Sequence, residues 1–272
     1  MNLNVKIEGL GFPLLCLHGH PGNSQCLSVF TNKLSQRLKT FAPDLRGYGK
    51  SRVSENFEMS DHLTDLEALL DFYQIDRCLL LGWSLGGILA IELALRNPNR
   101  FSGLILVATA ARPRSSHPKT TWQDLLFTGI AATINYFNPG GKWNIETFGK
   151  RSLFRYLIQQ HSPVAYQYIG SCLLSAYFQT SNAAKKALSN SLKMGYDRTE
   201  DLSKLADLPC LVLAGDKDRH ITAQSSLETA QQLKNSHWHC YHNTAHLFPW
   251  EISVRVLEDI NSWLDDRPQI CR

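Results

Sequence analysis

The stretch RCLLLGWSLGGILAIELAL, residues 77–95, joins a short apolar run to a segment with helical spacing. The run up to Gly82 is typical of a strand buried on both faces, and the spacing after Gly87 predicts a helix. Ser84 stands between them in a G-x-S-x-G pattern, where the turn is so tight that Cβ atoms on the flanking residues would strike neighbouring backbone. Gly82, Gly86 and Gly87 meet that need. The sequence therefore predicts a strand-turn-helix that presents the Ser84 hydroxyl at a helix N-terminus, where developing negative charge is favoured.

The same alternation of apolar runs and helical stretches continues on both sides of this segment. The apolar runs that predict strands are residues 3–7, 13–17, 39–44, 77–82, 103–108, 209–215 and 237–241. The stretches with helical spacing are residues 24–38, 60–74, 85–97, 222–234 and 250–264. Strands that alternate with helices indicate an α/β fold with a mostly parallel sheet and helices on both faces.

The middle of the chain breaks this pattern. Residues 112–206 contain the turn NPGGK and several helical stretches rich in Tyr, Phe, Leu and Ala, without a convincing strand. We therefore predict a core formed by residues 1–111 and 207–272, with residues 112–206 inserted between two strands of one sheet as a helical cap.

Composition excludes several other classes of protein. The chain has 272 residues, 43% of them hydrophobic, and a formal net charge of +4. This is enough apolar material for one large core, and the small charge excess favours neither nucleic-acid binding nor a polybasic membrane anchor. Lys6 and Glu8 interrupt the region where a signal sequence would be apolar, and no run approaches the roughly 18 residues of a membrane span. We expect a cytoplasmic protein whose seven cysteines, without a C-x-x-C pair, are reduced.

Around the G-x-S-x-G turn the chain resembles the α/β-hydrolase superfamily. LHGHPG, residues 17–22, resembles the family's H-G-x-P loop, and DLRGYGKS, residues 44–51, resembles its D-x-x-G-x-G-x-S turn. The resemblance implies that Ser84 is a nucleophile. It also implies that the backbone N–H groups of His20 and Leu85 form an oxyanion hole.

The resemblance extends to the other two members of a catalytic triad. His246, in AHLFPWE after the last strand, stands where the family keeps its base, although Ala245 replaces the usual glycine. The family's acid follows the strand at 209–215, where GDKDR offers Asp216 and Asp218. The family pattern G-x-x-D selects Asp218, and Asp216 would then brace the turn.

Serine at the turn indicates acyl transfer, because related dehalogenases and epoxide hydrolases use aspartate there. The resemblance implies a serine hydrolase that cleaves a carboxylic ester or thioester through an acyl-enzyme, with no cofactor. Two alternatives use the same triad: a C–C bond hydrolase and a cofactor-free perhydrolase or haloperoxidase. A third is a non-catalytic binder of small molecules with the same fold.

Aromatic residues are candidates for a substrate pocket. Trp83 adjoins the nucleophile and is predicted to bind an apolar acyl or aryl group. Aromatic residues of the cap could line the same pocket or form the core of the cap, and these are Trp122, Phe127, Tyr136, Phe137, Phe154 and Tyr156. His237, His239 and His242 could be proposed as metal ligands, but alternation along an edge strand explains their spacing, so no metal is expected.

The cap carries more positive charge than the rest of the chain. Between residues 112 and 204 there are twelve Lys and Arg against five Asp and Glu, a net charge of +7. A positively charged lid would attract a small ester that is linked to an anionic carrier, such as coenzyme A or an acidic acyl-carrier protein. The alternative interpretation is that these lysines are simply solvated and bind no partner. The GWSLGG turn and Ala245 are also similar to the pimeloyl-carrier methyl esterases of biotin synthesis, which work on such a substrate.

Overall fold

Seven strands form one sheet in the computed structural model, which describes residues 2–271. The strands are β1 (Val5–Glu8), β2 (Pro13–Leu17), β3 (Lys39–Pro43), β4 (Cys78–Trp83), β5 (Phe101–Val107), β6 (Cys210–Gly215) and β7 (Ser236–Tyr241). Their order across the sheet is β1-β3-β2-β4-β5-β6-β7. β1 pairs antiparallel with β3, and every other pair is parallel. The prediction of an α/β fold with a mostly parallel sheet is therefore confirmed.

Helices cover both faces of the sheet. In the first part of the chain they are α1 (Ser28–Leu34), α2 (Met59–Phe72) and α3 (Leu85–Arg96). After β5 they are α4 (Trp122–Phe137), α5 (Lys142–Thr147), α6 (Phe154–Leu157), α7 (Pro163–Phe178) and α8 (Asn182–Lys193). After β6 they are α9 (Ala223–Gln232), α10 (Phe248–Glu251) and α11 (Ser253–Asp265).

The continuous apolar strands are buried on both faces because successive side chains point in opposite directions. In β4, Leu79 and Leu81 pack with α1 and α11 on one face. Cys78 and Leu80 pack with α2, α3 and α9 on the other. The sheet therefore separates two hydrophobic cores, and its central strands are fully enclosed between them.

Two predicted helices differ from the structure. The stretch 24–38 divides into a 3-10 turn, Ser24–Leu27, and the short helix α1, because the chain must turn at residue 35 to enter β3. The stretch 250–264 begins earlier and is broken at Ile252, whose φ of −132° and ψ of 44° separate α10 from α11. Local periodicity marks these helices but not the turns inside them.

Residues 112–206 contain α4 to α8 and, all of them being described, no strand. We call this helical segment between β5 and β6 the cap. That it is a unit separate from the core is a proposal. The described cysteines are free thiols. Among the described helices, none combines the length and apolar character that crossing a membrane would require.

Candidate active site

Ser84 occupies the turn between β4 and α3 in a strained backbone conformation. Its φ is 54° and its ψ is −117°, a region that residues with side chains rarely adopt, at a cost of about 1–3 kcal/mol. The Ser84 N–H donates to the carbonyl of Val107 over 2.9 Å. The Thr109 hydroxyl donates to the Ser84 carbonyl over 2.8 Å. These two bonds tie the strained turn to β5 and to the residues that follow it.

Close backbone packing explains the glycines around Ser84. A Cβ on Gly82 would collide with the carbonyl of Gly86, and a Cβ on Gly86 would collide with the carbonyl of Leu17 at the end of β2. The turn therefore lies directly against the residues that follow β2. Larger side chains here would push the turn between β4 and α3, the nucleophile elbow of the sequence prediction, away from the loop that is predicted to form the oxyanion hole.

Ser84, His246 and Asp218 meet at the carboxyl edge of the sheet. His246 Nε2 lies 3.1 Å from Ser84 Oγ, and His246 Nδ1 lies 2.8 Å from Asp218 Oδ2. All three residues are buried, with exposures of 5%, 2% and 5% for Ser84, His246 and Asp218. Because the carboxylate can only accept, Nδ1 carries the proton and Nε2 is left free to accept from the serine hydroxyl. This arrangement suits a general base acting on a nucleophile.

Asp218, and not Asp216, reaches His246. The second carboxylate oxygen of Asp218 accepts the backbone N–H groups of His220 and Ile221 over 2.7 and 3.0 Å, which fixes the carboxylate in place. Asp216 lies beside the exposed ring of His242 instead, at 3.0 Å, and accepts a long bond from the Thr244 N–H. The two carboxylates of GDKDR thus have separate environments.

Glu251 holds the loop that carries His246. One carboxylate oxygen of Glu251 accepts the N–H of Ala245 over 2.9 Å, and the other accepts the N–H groups of Gln159 and Gln160 of the cap. Burial raises the pKa of Glu251, and the three N–H donors oppose that shift. The loop that carries His246 is therefore tied to residues 159 and 160 of the cap.

The loop after β2 lies against the elbow. A Cβ on Gly19 would stand 2.7 Å from the Trp83 ring and 3.0 Å from Ser84 Cβ, so the loop backbone passes next to the nucleophile. Leu85 is the first residue of α3, and N–H groups at a helix start have no acceptor within the helix. Neither the His20 N–H nor the Leu85 N–H donates to a backbone acceptor within residues 2–271. Both amides are thus available to an oxyanion.

Two histidines, the buried His18 and the half-buried His20, stiffen this loop. His18 Nε2 accepts the N–H of Leu45 over 3.0 Å, so its Nδ1 carries the proton and donates to the Gly19 carbonyl over 2.8 Å. His20 Nδ1 shares a hydrogen bond of 2.8 Å with the Tyr48 hydroxyl. Burial lowers the pKa of each imidazole to about 4. Both rings are neutral near pH 7 and serve as braces.

A family model described as alpha/beta hydrolase fold matches residues 13–251. The chain belongs to this family. The AB hydrolase superfamily protein YisY of Bacillus subtilis is 26% identical over 251 residues, which cover 90% of this chain and 89% of that protein. The pimeloyl-[acyl-carrier protein] methyl ester esterase of Aeromonas hydrophila is 36% identical over 110 residues. That second match spans only 40% of this chain and 42% of the esterase.

Solved structures of α/β hydrolases resemble the whole chain. A thermophilic esterase from Thermogutta terrifontis aligns with a TM-score of 0.70 and 25% identity, covering 99% of this chain and 94% of that structure. An esterase from Exiguobacterium antarcticum aligns with a TM-score of 0.73 at 20% identity, covering 97% and 95%. The second likeness shows the shared fold alone.

A cavity of about 480 Å³ opens beside Ser84 in this α/β hydrolase. Its apolar lining includes Leu85, Ile88, Leu188, Leu192 and Ile221. Its polar lining includes Arg112, Arg114, Ser115, Asp197 and His220. Since Leu188 and Leu192 belong to α8, the cap contributes directly to the cavity. Its volume is within the usual range for small ligands.

The predicted aromatic pocket is not where the sequence suggested. Trp83 is only 4% exposed and packs edge-on against Trp250 with ring centroids 4.6 Å apart, so it belongs to the core behind Ser84. Phe154 is likewise buried in the core, whereas Trp122 and Phe137 are 70% and 80% exposed. None of these aromatic residues lines the cavity beside Ser84. Alternation along β4 explains the correction for Trp83, because its side chain points to the face opposite Gly82.

The histidines proposed as alternative metal ligands have separate partners. His239 lies 3.9 Å from Asp259, and His242 lies 3.0 Å from Asp216. His237 is exposed on the edge strand β7. Within residues 2–271, no group of three or more His, Cys, Asp or Glu side chains is arranged to hold a metal ion.

Ion pairs neutralise half of the basic residues of the cap. Arg112 and Arg114 at the cavity both pair with Glu228, at 3.0 and 3.3 Å, and Arg198 pairs with Glu92 at 2.7 Å. Lys150, Arg155 and Lys204 also have carboxylate partners. The basic residues with no carboxylate within 4.0 Å in the described part of the chain are Lys119, Lys142, Arg151, Lys185, Lys186 and Lys193.

Proposed function

We propose that this α/β hydrolase is a serine hydrolase that cleaves carboxylic esters through an acyl-enzyme. The observation that carries the proposal is the line of contacts from Ser84 Oγ to His246 Nε2, at 3.1 Å, and from His246 Nδ1 to Asp218 Oδ2, at 2.8 Å. A base that is oriented by a buried carboxylate and touches a hydroxyl at a strained elbow is the arrangement that nucleophilic acyl transfer requires.

The geometry assigns a role to each group. Ser84 Oγ attacks the ester carbonyl carbon while its proton passes to His246 Nε2, and Asp218 stabilises the imidazolium. The N–H groups of His20 and Leu85 stabilise the oxyanion. The carbon–oxygen bond to the leaving alcohol then breaks, and the alcohol takes the proton from His246. Water attacks the acyl-enzyme in the same way, and the carboxylic acid leaves as the proton returns to Ser84.

Relatives support hydrolysis of esters. The esterase of Thermogutta terrifontis and the methyl ester esterase of Aeromonas hydrophila are both named for this reaction. With the family match, they confirm the prediction of a hydrolase that acts on ester bonds. Which acyl group and which alcohol the ester contains is a matter of proposal.

Covalent labelling tests the proposal. A fluorophosphonate probe should label the native protein, and p-nitrophenyl butyrate should be hydrolysed with a burst of p-nitrophenol. Ser84→Ala should abolish labelling and lower kcat by about 10⁶. Ser115→Ala is the matched control, because Ser115 lines the same cavity but bonds to the carbonyl of Arg219. Labelling that persists in Ser84→Ala would assign the nucleophile to another residue. A native protein that neither labels nor turns over any ester would favour a non-catalytic binder.

An anionic, carrier-linked or coenzyme A-linked ester is a second candidate substrate. Three of the lysines without a carboxylate partner, Lys185, Lys186 and Lys193, lie on α8, the cap helix that lines the cavity. Cations at this position would steer an anionic substrate, and the effect would decline with ionic strength.

A salt series distinguishes the two substrates. kcat/KM for a coenzyme A thioester should decline from about 0.02 to 0.3 M salt, while that for a neutral ester of the same acid should change little. Replacing Lys185 and Lys186 with Gln should flatten the decline, and Lys234→Gln, on the exposed loop before β7, should not. Equal salt dependence for both substrates would leave a hydrolase of small neutral esters.

A further inference from the structure

His220 is a polar residue of the cavity that the triad does not use. It follows Asp218 by two residues, and its backbone N–H donates to Asp218 Oδ1 over 2.7 Å. The same carboxylate orients His246 through its other oxygen. The position of His220 is therefore set by the catalytic acid, so the side chain has a defined place relative to the base.

The His220 ring lies next to the catalytic base. Its centroid is 4.7 Å from that of His246 and 5.3 Å from that of His117. The residue is exposed, and it lines the cavity together with Ser84 and Leu85. A ligand in the cavity can thus contact the imidazole of His220 while its carbonyl group lies at Ser84.

The chemistry of His220 is that of a neutral hydrogen-bonding group. Partial desolvation in the cleft, followed by the nearby His246, His117 and His20, lowers its pKa, so the ring is neutral near pH 7. A neutral imidazole has one N–H donor and one acceptor nitrogen. Arg112 and Arg114, which also line the cavity, are already paired with Glu228, whereas the His220 ring offers an uncharged polar contact beside His246.

The direction of the reaction places the alcohol half of the ester near His246. The oxyanion must point to the N–H groups of His20 and Leu85, and the leaving oxygen must lie near His246 Nε2 to receive its proton. The alcohol half therefore begins beside His246, and the His220 ring lies 4.7 Å from the His246 ring.

We propose that His220 forms a leaving-group subsite that selects esters whose alcohol carries a hydroxyl or another hydrogen-bonding group. The subsite rests on the proposed ester hydrolysis at Ser84. Its ligand class is a short polyol or hydroxyalkyl ester, in contrast to a plain alkyl ester.

Matched esters test the subsite. 2-Hydroxyethyl butyrate and propyl butyrate have the same acyl group and nearly the same size, and differ in one terminal hydroxyl. The native enzyme should prefer the hydroxyethyl ester in kcat/KM by about three- to ten-fold, the usual worth of a neutral hydrogen bond. His220→Leu should remove this preference, so that the two esters have nearly equal kcat/KM. His220→Gln, which keeps a donor and an acceptor, should retain part of it.

The control is His237→Leu, the same substitution at an exposed position on β7, which should keep the native preference. The subsite is refuted if the native enzyme shows no preference, or if His220→Leu keeps the native ratio. Equal loss on both esters also refutes it, because His220 would then act by positioning His246. Failure of the proposed function has a different signature, since neither ester would be hydrolysed and Ser84 would not react with the fluorophosphonate.

Discussion

Replacing Asp218 with Asn should disable the base without removing any side chain from the site. Asp218 Oδ1 accepts the N–H groups of His220 and Ile221, so the oxygen of an asparagine must stay on that side. Its NH₂ group then faces His246 Nδ1 and forces that nitrogen to accept. The proton moves to Nε2, which points at Ser84 Oγ and can no longer take its proton.

The expected loss is large, and a neighbouring carboxylate supplies its control. Amidation of a triad aspartate lowers kcat by about 10⁴, which corresponds to about 5 kcal/mol of transition-state stabilisation. Asp216→Asn makes the same chemical change two residues away, where the partners are the exposed Lys217 and His242. Such exposed pairs contribute little, so kcat should stay within about three-fold.

Initial rates with p-nitrophenyl butyrate, together with thermal unfolding of each variant, test the predicted difference between Asp218→Asn and Asp216→Asn. Asp218→Asn should retain the native fold while losing activity. If Asp216→Asn were the more damaging of the two, or if Asp218→Asn kept more than about a tenth of the native kcat, the tautomer argument would be wrong.

Three further predictions concern the frame of the site. Glu251→Gln should lower the free energy of unfolding, measured in urea, by about 1.5–3 kcal/mol, because an NH₂ group would face backbone N–H groups that this carboxylate now accepts. An unchanged urea midpoint would contradict this role of Glu251. Gly86→Ala should destabilise by about 1–3 kcal/mol or more through the collision with Leu17, whereas Gly129→Ala, with open space inside α4, should stabilise by about 0.5–1 kcal/mol; equal effects would refute the packing argument. His62 is buried and its pKa is lowered to about 4, so below pH 6.5 the unfolded chain binds a proton that the folded chain does not. The free energy of unfolding of the native protein should therefore fall by about 2 kcal/mol by pH 5 because of His62, and His62→Phe should not show this decrease. Parallel urea titrations at pH 8 and pH 5 measure it, and identical pH dependence of the two proteins would count against it.

The sequence predicts the sheet and the elbow because both depend on local chemistry. Five or six consecutive apolar residues can be buried only where both faces of a strand are covered, and β2 and β4 are such strands. The spacing of Gly82, Ser84 and Gly86 likewise reports a turn made within one short segment. Placement of Asp218 and His246 needed the family resemblance, since nothing in their own neighbourhoods states that they meet.

Contacts between distant segments could not be predicted. Thr109 bonds to Ser84 across 25 positions, and Glu251 reaches the cap across 91 positions to Gln160. The sequence predicts Trp83 in the substrate pocket only because it is adjacent to Ser84. Adjacent residues of a strand point to opposite faces, so proximity in sequence was the wrong criterion there.

The effective charge of the cap also depends on contacts between distant segments, and this bears on substrate choice. Counting residues 112–204 alone gives +7, which favours an anionic substrate. Three of the six paired basic residues of the cap, however, have counterions in the core: Glu228 on α9 pairs with Arg112 and Arg114, and Glu92 on α3 pairs with Arg198. The arginines nearest Ser84 are therefore neutralised where the substrate binds, and the uncompensated charge lies on lysines such as those of α8. Electrostatic attraction should then act on the approach of a substrate more than on its bound state, so salt should change kcat/KM and leave kcat almost unaffected.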